Sequence, residues 1–526
     1  MIEDNFDEFV RSLAKLDLIG YGPAETFRRD LPSVVAVLDA FSADCFKPEF
    51  QMVPVSPADY RQAFDYYSPK LLLIESAWQG NAGSWTHQLV GSNGPRPQFL
   101  EFLATARSYG IPIVFWNKED PPHYEDFLPV AKRADLVLTT AGELVDSYVS
   151  AVGHTNVATL PFAAQPEIHH PFGTQNRSRE ICFAGQYFAH KYPERREQME
   201  YLFPPASRYD FSIFSRELGN DPNYAFPPPY DLHVRGSVPY TEMVEVYRQY
   251  KMFLNVNSVT SSSTMCARRI FEITASGGVV VSAPSAAISN FYADDEVFTP
   301  ADSHQADAVF ANILNDDEQR AAAAHLSWRR TLSENTYRHR VDTIFRLLGD
   351  PRQPHVATTT VLVDPRCADH NRVQETVSQV QSIVGCNGEV RILDFGDWSD
   401  RLESQYDHVR FTLSDLAHLE TDRLIVASAR FLFANHAFDD LILALDSYPD
   451  RKTIAKTAYD DEQRLMHREG VELTNPPLWG ANRRDGEQDD LVKLVQSRVG
   501  VYDVLDYFNV LEHPENFIPS TDRWMK

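Results

Sequence analysis

Residues 252–284, MFLNVNSVTSSSTMCARRIFEITASGGVVVSAP, decide how this chain is read. Residues 252–256 are a short apolar run of strand type, followed by a polar loop of Asn, Ser and Thr. Met265, Ile270, Ile273 and Ala275, interleaved with Arg268, Arg269 and Glu272, then take helical spacing. Gly277 and Gly278 stop that helix, and residues 279–282 open another strand. A strand–loop–helix–strand unit of this kind turns backbone N–H groups and the positive end of a helix toward the loop, and a phosphate is the natural occupant. The spacing predicts a helix start within 262–268. Glu272, about two turns in, is then placed to accept hydrogen bonds from ribose hydroxyls. An ordinary βαβ unit with a charged outer face has the same pattern, so the rest of the chain has to separate the two readings.

Strand-like runs at 34–38, 71–75, 111–116, 136–139 and 157–160 alternate with helix-like stretches at 97–109 and 142–152, as in a parallel α/β sheet. The Pro-rich and polar stretch 161–180 reads as an interdomain hinge. A second set of strands follows at 181–184, 210–214, 252–256, 279–282 and 297–299, with helices in 303–349. After a linker at 350–357, a third α/β block occupies 355–526. The expected domains are therefore 1–165, 166–350 and 355–526.

With 526 residues, 43% of them hydrophobic and 12% aromatic, the chain is long enough for several folded cores. Its 49 Lys and Arg against 74 Asp and Glu leave a net charge of −25, which disfavours generic binding to nucleic acid or an anionic membrane. The five cysteines lie far apart, with no CxxC pair, so neither a disulfide framework nor a zinc site is expected. The acidic start MIEDNFDEF is unlike a secretory signal, and there is no long apolar run; a soluble cytoplasmic protein is the expectation.

ARRIFEITASGGVVVS (267–282) resembles the donor-site helix of glycosyltransferases of the GT-B fold, specifically the CgeB-like group associated with spore-coat and surface glycosylation. Further segments agree in order: LLLIESAWQGNAGSW (71–85), IPIVFWNKEDPPHYEDF (111–127), ADLVLTT (134–140), LPFAAQPEIHHP (160–171), ICFAGQYFAHKYPERREQME (181–200), VPYTEMVEVYRQYKMFLNVNS (238–258) and ENTYRHR (334–340). The match spans roughly residues 30–345. It implies two Rossmann-like domains facing across a cleft, acceptor on the first and donor on the second. The implied reaction is hexosyl transfer, of retaining type, from a nucleotide-diphosphate sugar to a hydroxyl of a glycan, protein or carrier. No cofactor beyond the donor substrate and no metal are implied. The third block faintly resembles a degenerate GT-A glycosyltransferase domain. An Asp-x-Asp would fall near 428–433 and no carboxylate is there, so a non-catalytic role in assembly, including a homo-oligomer, is expected. Asp439 and Asp440 read as a solvated helix face.

The expected donor residues are Gly185, Tyr187, Lys191, Arg195, Arg216, Asn257, Ser262, Ser263, Thr264 and Glu272. Gly185 permits close backbone approach, and the basic residues suit a diphosphate. Arg268 and Arg269 are expected to stabilise the leaving group. Many retaining GT-B enzymes carry a second glutamate eight positions before the one matched by Glu272; here that position is Thr264. In the first domain Glu119, Asp120 and His123 are candidates for the general base, with helix capping as the alternative for Asp120. Glu75, Trp78 and Gly80 are candidates for acceptor binding. Trp78 and Trp85 suit either a sugar face or the core. His169 and His170 are adjacent and make a poor metal pair; a hinge place fits them better. A GT-B-shaped nucleotide-sugar epimerase or hydrolase, or a catalytically dead carbohydrate-binding scaffold, are the competing functions.

Overall fold

Short runs of Val, Leu, Ile and Phe, apolar on every residue and not on alternate ones, build strands covered on both faces, as parallel sheets require. The computed structural model describes residues 31–90, 94–171, 177–217, 219, 221–352, 357–364, 370–384, 388–393, 410–411, 421–429, 436–448, 454–456 and 478–482. The first sheet contains β1 (Ser33–Val37), β2 (Gln51–Pro54), β3 (Leu71–Glu75), β4 (Ile113–Asn117), β5 (Leu136–Thr139) and β6 (Val157–Thr159). Its order is β2-β1-β3-β4-β5-β6, and every pair is parallel. Helices α1 (Ala40–Phe46), α2 (Tyr60–Tyr67), α3 (Pro97–Ser108), α4 (Tyr124–Ala131) and α5 (Val145–Val152) accompany it. β3 and β4 are buried along their whole length.

The second sheet runs β11-β10-β7-β8-β9, again parallel, from β7 (Arg179–Ala184), β8 (Phe211–Phe214), β9 (Val234–Gly236), β10 (Tyr250–Asn255) and β11 (Val279–Ser282). Its helices are α6 (Pro193–Ala206), α7 (Tyr240–Gln249), α8 (Arg269–Ala275), α9 (Ala286–Phe291), α10 (Ser303–Asn315) and α11 (Asp317–Glu334). The next helix, α12 (Tyr337–Leu347), crosses back onto the first domain. There Arg340 donates to Pro161 O at 2.9 Å and Phe162 O at 2.8 Å, and the Tyr337 ring meets Phe46 edge-on at 4.8 Å. These two sheets and the returning helix form the expected α/β architecture of GT-B type.

The third sheet, β14-β13-β12-β15-β17-β16, is mixed, with β17 antiparallel to both neighbours. It comprises β12 (Thr359–Asp364), β13 (Gly388–Leu393), β14 (Arg410–Phe411), β15 (Arg423–Ser428), β16 (Ile454–Lys456) and β17 (Leu478–Asn482), with α13 (His370–Val384) and α14 (Ala437–Ser447). Residues 430–433 of the expected Asp-x-Asp position lie outside the described residues, as does the chain start read for a signal.

Three expectations change. The helix expected to start within 262–268 starts at Arg269, leaving 262–268 irregular and Glu272 in its first turn. Residues 297–299 form only one bridge, Val281 to Phe298. Asp440 is not on a solvated face: it is 0% exposed. Among the described residues, no helix is long and apolar enough to cross a membrane.

Candidate nucleotide site

Ligands of open parallel sheets bind beyond the carboxyl ends of the strands. At that edge of the second sheet the loops after β7 and β8, the end of β10 and the starts of α6 and α8 carry buried polar atoms that have no partner among the described residues: Gln186 Nε2, Arg195 Nε, Ser215 Oγ, Asn255 Oδ1 and Arg269 Nη1. Buried polar groups are nearly always paired, so the gathering of such atoms on one sheet edge makes that edge the candidate for a polar ligand. Arg269 is the extreme case. It has no ion pair among the described residues, and burial, together with Arg268 and Arg216, holds its guanidinium below the usual range against the pull of Tyr247 and Glu272. Gly185 makes room for it: a Cβ there would lie 2.8 Å from Arg269 Nη1 and 2.7 Å from the Phe183 ring.

Arg195, on the first turn of α6, faces the same loops. Its Nη1 donates to Val256 O at 3.2 Å and its Nη2 to Gln186 O at 3.2 Å. Burial first, and then Arg269, brings its value down to about 9. Arg269 thus disfavours the charged form of Arg195, and neither guanidinium has a carboxylate in ion-pair contact among the described residues, which suits the pair to an anion.

Glu272 pairs with Arg268 instead. Its Oε1 accepts from Arg268 Nη1 at 2.9 Å and from Tyr240 OH at 3.0 Å, and Oε2 accepts from Tyr247 OH at 3.0 Å. Despite complete burial the carboxyl is held below its ordinary value, chiefly by Arg268 and then His169. Arg268 also lies 4.0 Å over the Phe41 ring of the first domain and 4.6 Å over Tyr240. Sequence reasoning missed Tyr240 and Tyr247; their spacing of seven on one helix face was the available signal.

The other expected donor residues are dispersed. Asn257 is a structural tie: its Nδ2 donates to Ala283 O at 2.8 Å and its N–H to Gln198 at 2.6 Å. Thr264 Oγ1 accepts from Gly142 N at 2.8 Å and donates to Thr140 O at 2.8 Å, while Ser262 Oγ donates to Glu143 at 2.8 Å. Both hydroxyls thus bridge the two domains. Ser263 is exposed. Tyr187 packs on Phe226 at 5.7 Å. Lys191 is exposed, 5.0 Å over Phe188. Arg216 is 77% exposed beside Glu217.

Across the cleft, Glu75 is fully buried and held by Lys118 Nζ at 3.0 Å, and the same ammonium meets Asp39 at 3.0 Å. Burial raises the Glu75 carboxyl; the carboxylates Glu75 and Asp39 raise Lys118 in spite of its own burial. Asp39 also accepts from Gly80 N at 3.0 Å. Gly80 takes φ +58°, where an added Cβ would touch Trp85 and Val37. Asp120 is buried and accepts from Asn117 at 2.7 Å, Thr139 at 2.5 Å and Tyr148 at 3.0 Å; burial pushes it up to about 6. Those partners tie strand ends together and leave it no open face. His123 pairs with Asp126 at 2.8 Å and meets Trp78 edge-on at 5.2 Å. Glu119 is half-buried, and its carboxylate has no hydrogen-bond or ion-pair partner among the described residues. Trp85 is a core residue, donating to Val55 O at 2.7 Å. No group of three or more His, Cys, Asp or Glu able to hold a metal occurs among the described residues.

Residues 187–346 match the family model described as Glycosyl transferase-like. No curated protein matches the sequence. Among solved structures, Anabaena Alr3699/HepE in complex with UDP and glucose is 11% identical, with 60% of this chain and 91% of that one covered and a TM-score of 0.38. A glycosyltransferase from Rickettsia africae is 9% identical over 65% and 95%, TM-score 0.39. An α-glucosyltransferase in complex with UDP and a 13-mer DNA is 10% identical over 61% and 100%, TM-score 0.42. Likeness this distant gives no residue a role.

Proposed function

We propose that the chain transfers a hexosyl group from a nucleoside-diphosphate sugar to a hydroxyl acceptor, with retention and without a metal, and that it belongs to the CgeB-like group. The observation that carries the reading is the carboxylate-free pair of buried guanidiniums, Arg269 and Arg195, beside Gly185 at the carboxyl edge of the second sheet. A diphosphate supplies the negative charge that this pair lacks. As the bond from the sugar's anomeric carbon to the diphosphate oxygen breaks, the electron pair leaves with the diphosphate, where two fixed cations stabilise it. The acceptor oxygen bonds to the anomeric carbon, and its proton passes to the departing diphosphate or to Glu119. Glu272 keeps its proposed place beside the ribose, provided that the donor takes the contact now made by Tyr240.

Calorimetric titration with UDP, the nucleotide in the Anabaena and α-glucosyltransferase structures, tests the reading. Arg269→Met is expected to weaken UDP binding by about tenfold or more, since a charge-assisted hydrogen bond contributes roughly 1.5–3 kcal/mol. The apo protein should melt no lower than wild type, because an unpaired buried charge has been removed. Equal affinity in the variant, or no UDP or GDP binding by the wild type, would refute the assignment. Transfer that disappears in EDTA and returns with Mg²⁺ or Mn²⁺ would refute the metal-free part.

A further inference from the structure

Asp440 lies on α14 in the third block, and nothing in the nucleotide site touches it. Yet it is 0% exposed. Its Oδ1 accepts from Arg329 Nε at 2.6 Å, and its Oδ2 accepts from Arg329 Nη2 at 3.0 Å and from His325 Nε2 at 2.8 Å. One turn along the same helix, Trp328 Nε1 donates to the Tyr448 hydroxyl at 3.0 Å. His325, Trp328 and Arg329 thus commit one face of α11 to the third block.

Another face of α11 holds the donor helix. Thr331 Oγ1 lies 2.7 Å from Thr274 Oγ1 on α8 and 2.8 Å from the Tyr292 hydroxyl, with all three side chains buried. Thr274 Oγ1 donates in turn to Ile270 O at 2.8 Å, one residue beyond Arg269. The seven-residue α8 carries Arg269 and Glu272, with Arg268 as its N-cap. It is therefore fixed from behind by a helix that is itself fixed by Asp440.

We propose that Asp440 is a positioning residue for the nucleotide site: it fixes α11, and through Thr331 and Thr274 it sets where α8 presents Arg269 to Gly185. Removing its carboxylate deletes three hydrogen bonds that tie α14 to α11 and leaves the half-buried Arg329 guanidinium 3.0 Å from the His325 imidazole without the negative charge between the two elements. The clearance at Gly185 is tight enough for a small shift of α8 to be felt there. The inference rests on the nucleotide reading above, and its test is separable from it.

The experiment compares the full-length wild type with Asp440→Ala and Asp440→Asn, following amide hydrogen exchange and UDP affinity together. Exchange in 269–275 should accelerate by about tenfold in Asp440→Ala, less in Asp440→Asn, with 97–108 in the first domain unchanged as a control. UDP affinity should fall by about tenfold in parallel. Unchanged exchange in 269–275 of a folded variant overturns the proposal, and so does acceleration spread equally to 97–108. If wild type binds no UDP, the nucleotide reading fails while the exchange comparison still decides this one. If Asp440→Ala does not fold, Thr331→Val takes its place: intact wild-type affinity and protection there would equally overturn the coupling through α11.

Discussion

His169 has both ring nitrogens committed. Nδ1 accepts the Gln165 N–H at 3.0 Å, which puts the proton of the neutral ring on Nε2, 2.8 Å from the Tyr240 oxygen. Tyr240 then donates to Glu272. Burial, with Arg268 and Arg248 adding to it against the pull of Glu272, lowers the imidazole to about 4. A histidine lowered on folding takes up its proton more readily when unfolded, so its stability contribution is full above the ordinary value of about 6.5 and is lost as pH falls toward about 4. Glu272, also lowered, loses its contribution only below the ordinary carboxylate range, while Asp120, raised to about 6, and His339, lowered by burial, titrate in the same window in both proteins, so the share of His169 is the difference between wild type and variant from pH 7 to 5. His169→Asn should therefore flatten the fall of melting temperature between pH 7 and 5; parallel curves for the two proteins would exclude this role. Sequence reading placed the histidine pair in a hinge and set aside a metal. It did not see Tyr240 at 71 positions' distance, nor Lys118 joining Asp39 and Glu75 from 79 and 43 positions away. Contacts of that separation leave no local pattern, and a lysine after an apolar strand reads as solvated until the fold shows it buried.

At the scale of elements, the strand–loop–helix–strand unit was legible because apolar runs and the Gly277–Gly278 stop are local signals. The helix start was misplaced for an equally physical reason. Ser262, Ser263 and Thr264 are residue types that cap helices; Ser262 Oγ does accept the Met265 N–H at 3.1 Å, but it also donates to Glu143, and Thr264 commits its hydroxyl to the first-domain loop 140–143, so the turn does not run on into a helix. Gly142 permits that approach, since a Cβ there would lie 3.3 Å from Thr264 Oγ1 and 3.2 Å from Thr159 Oγ1. Thr264→Val keeps the shape and removes both cross-domain bonds, leaving the Gly142 N–H and Thr140 carbonyl unpaired. Urea unfolding should show a loss of about 1–3 kcal/mol, the cost of stranding such groups. Thr264→Ser should recover most of it. Wild-type stability in the valine variant would mean that the loops are held together by packing alone.

For the whole molecule, alternation of strand and helix pointed to two parallel sheets and a third block. What the third block does to the other two was not foreseen. The expected donor residues all precede Gly349, and the expectation for the third block is a role in assembly alone. One buried apolar cluster runs from Val34 and Trp116 in the first domain through Ile270 and Trp328 to Phe438, Leu441 and Leu445 in the third. Cutting at Gly349 strips Asp440 and Tyr448 from α11, uncovering His325 and Trp328, both 0% exposed in the intact chain. A buried side chain of that size contributes roughly 1.5–3 kcal/mol, and Arg329 loses its ion pair with Asp440. The shortened chain should melt well below the full-length protein and self-associate through the bared α11 face, with UDP binding weakened as in Asp440→Ala. Gel filtration with light scattering and a thermal melt on both chains decide the matter. A monomer with the full-length melting temperature would show that the third block is an appendage and not part of the structural core.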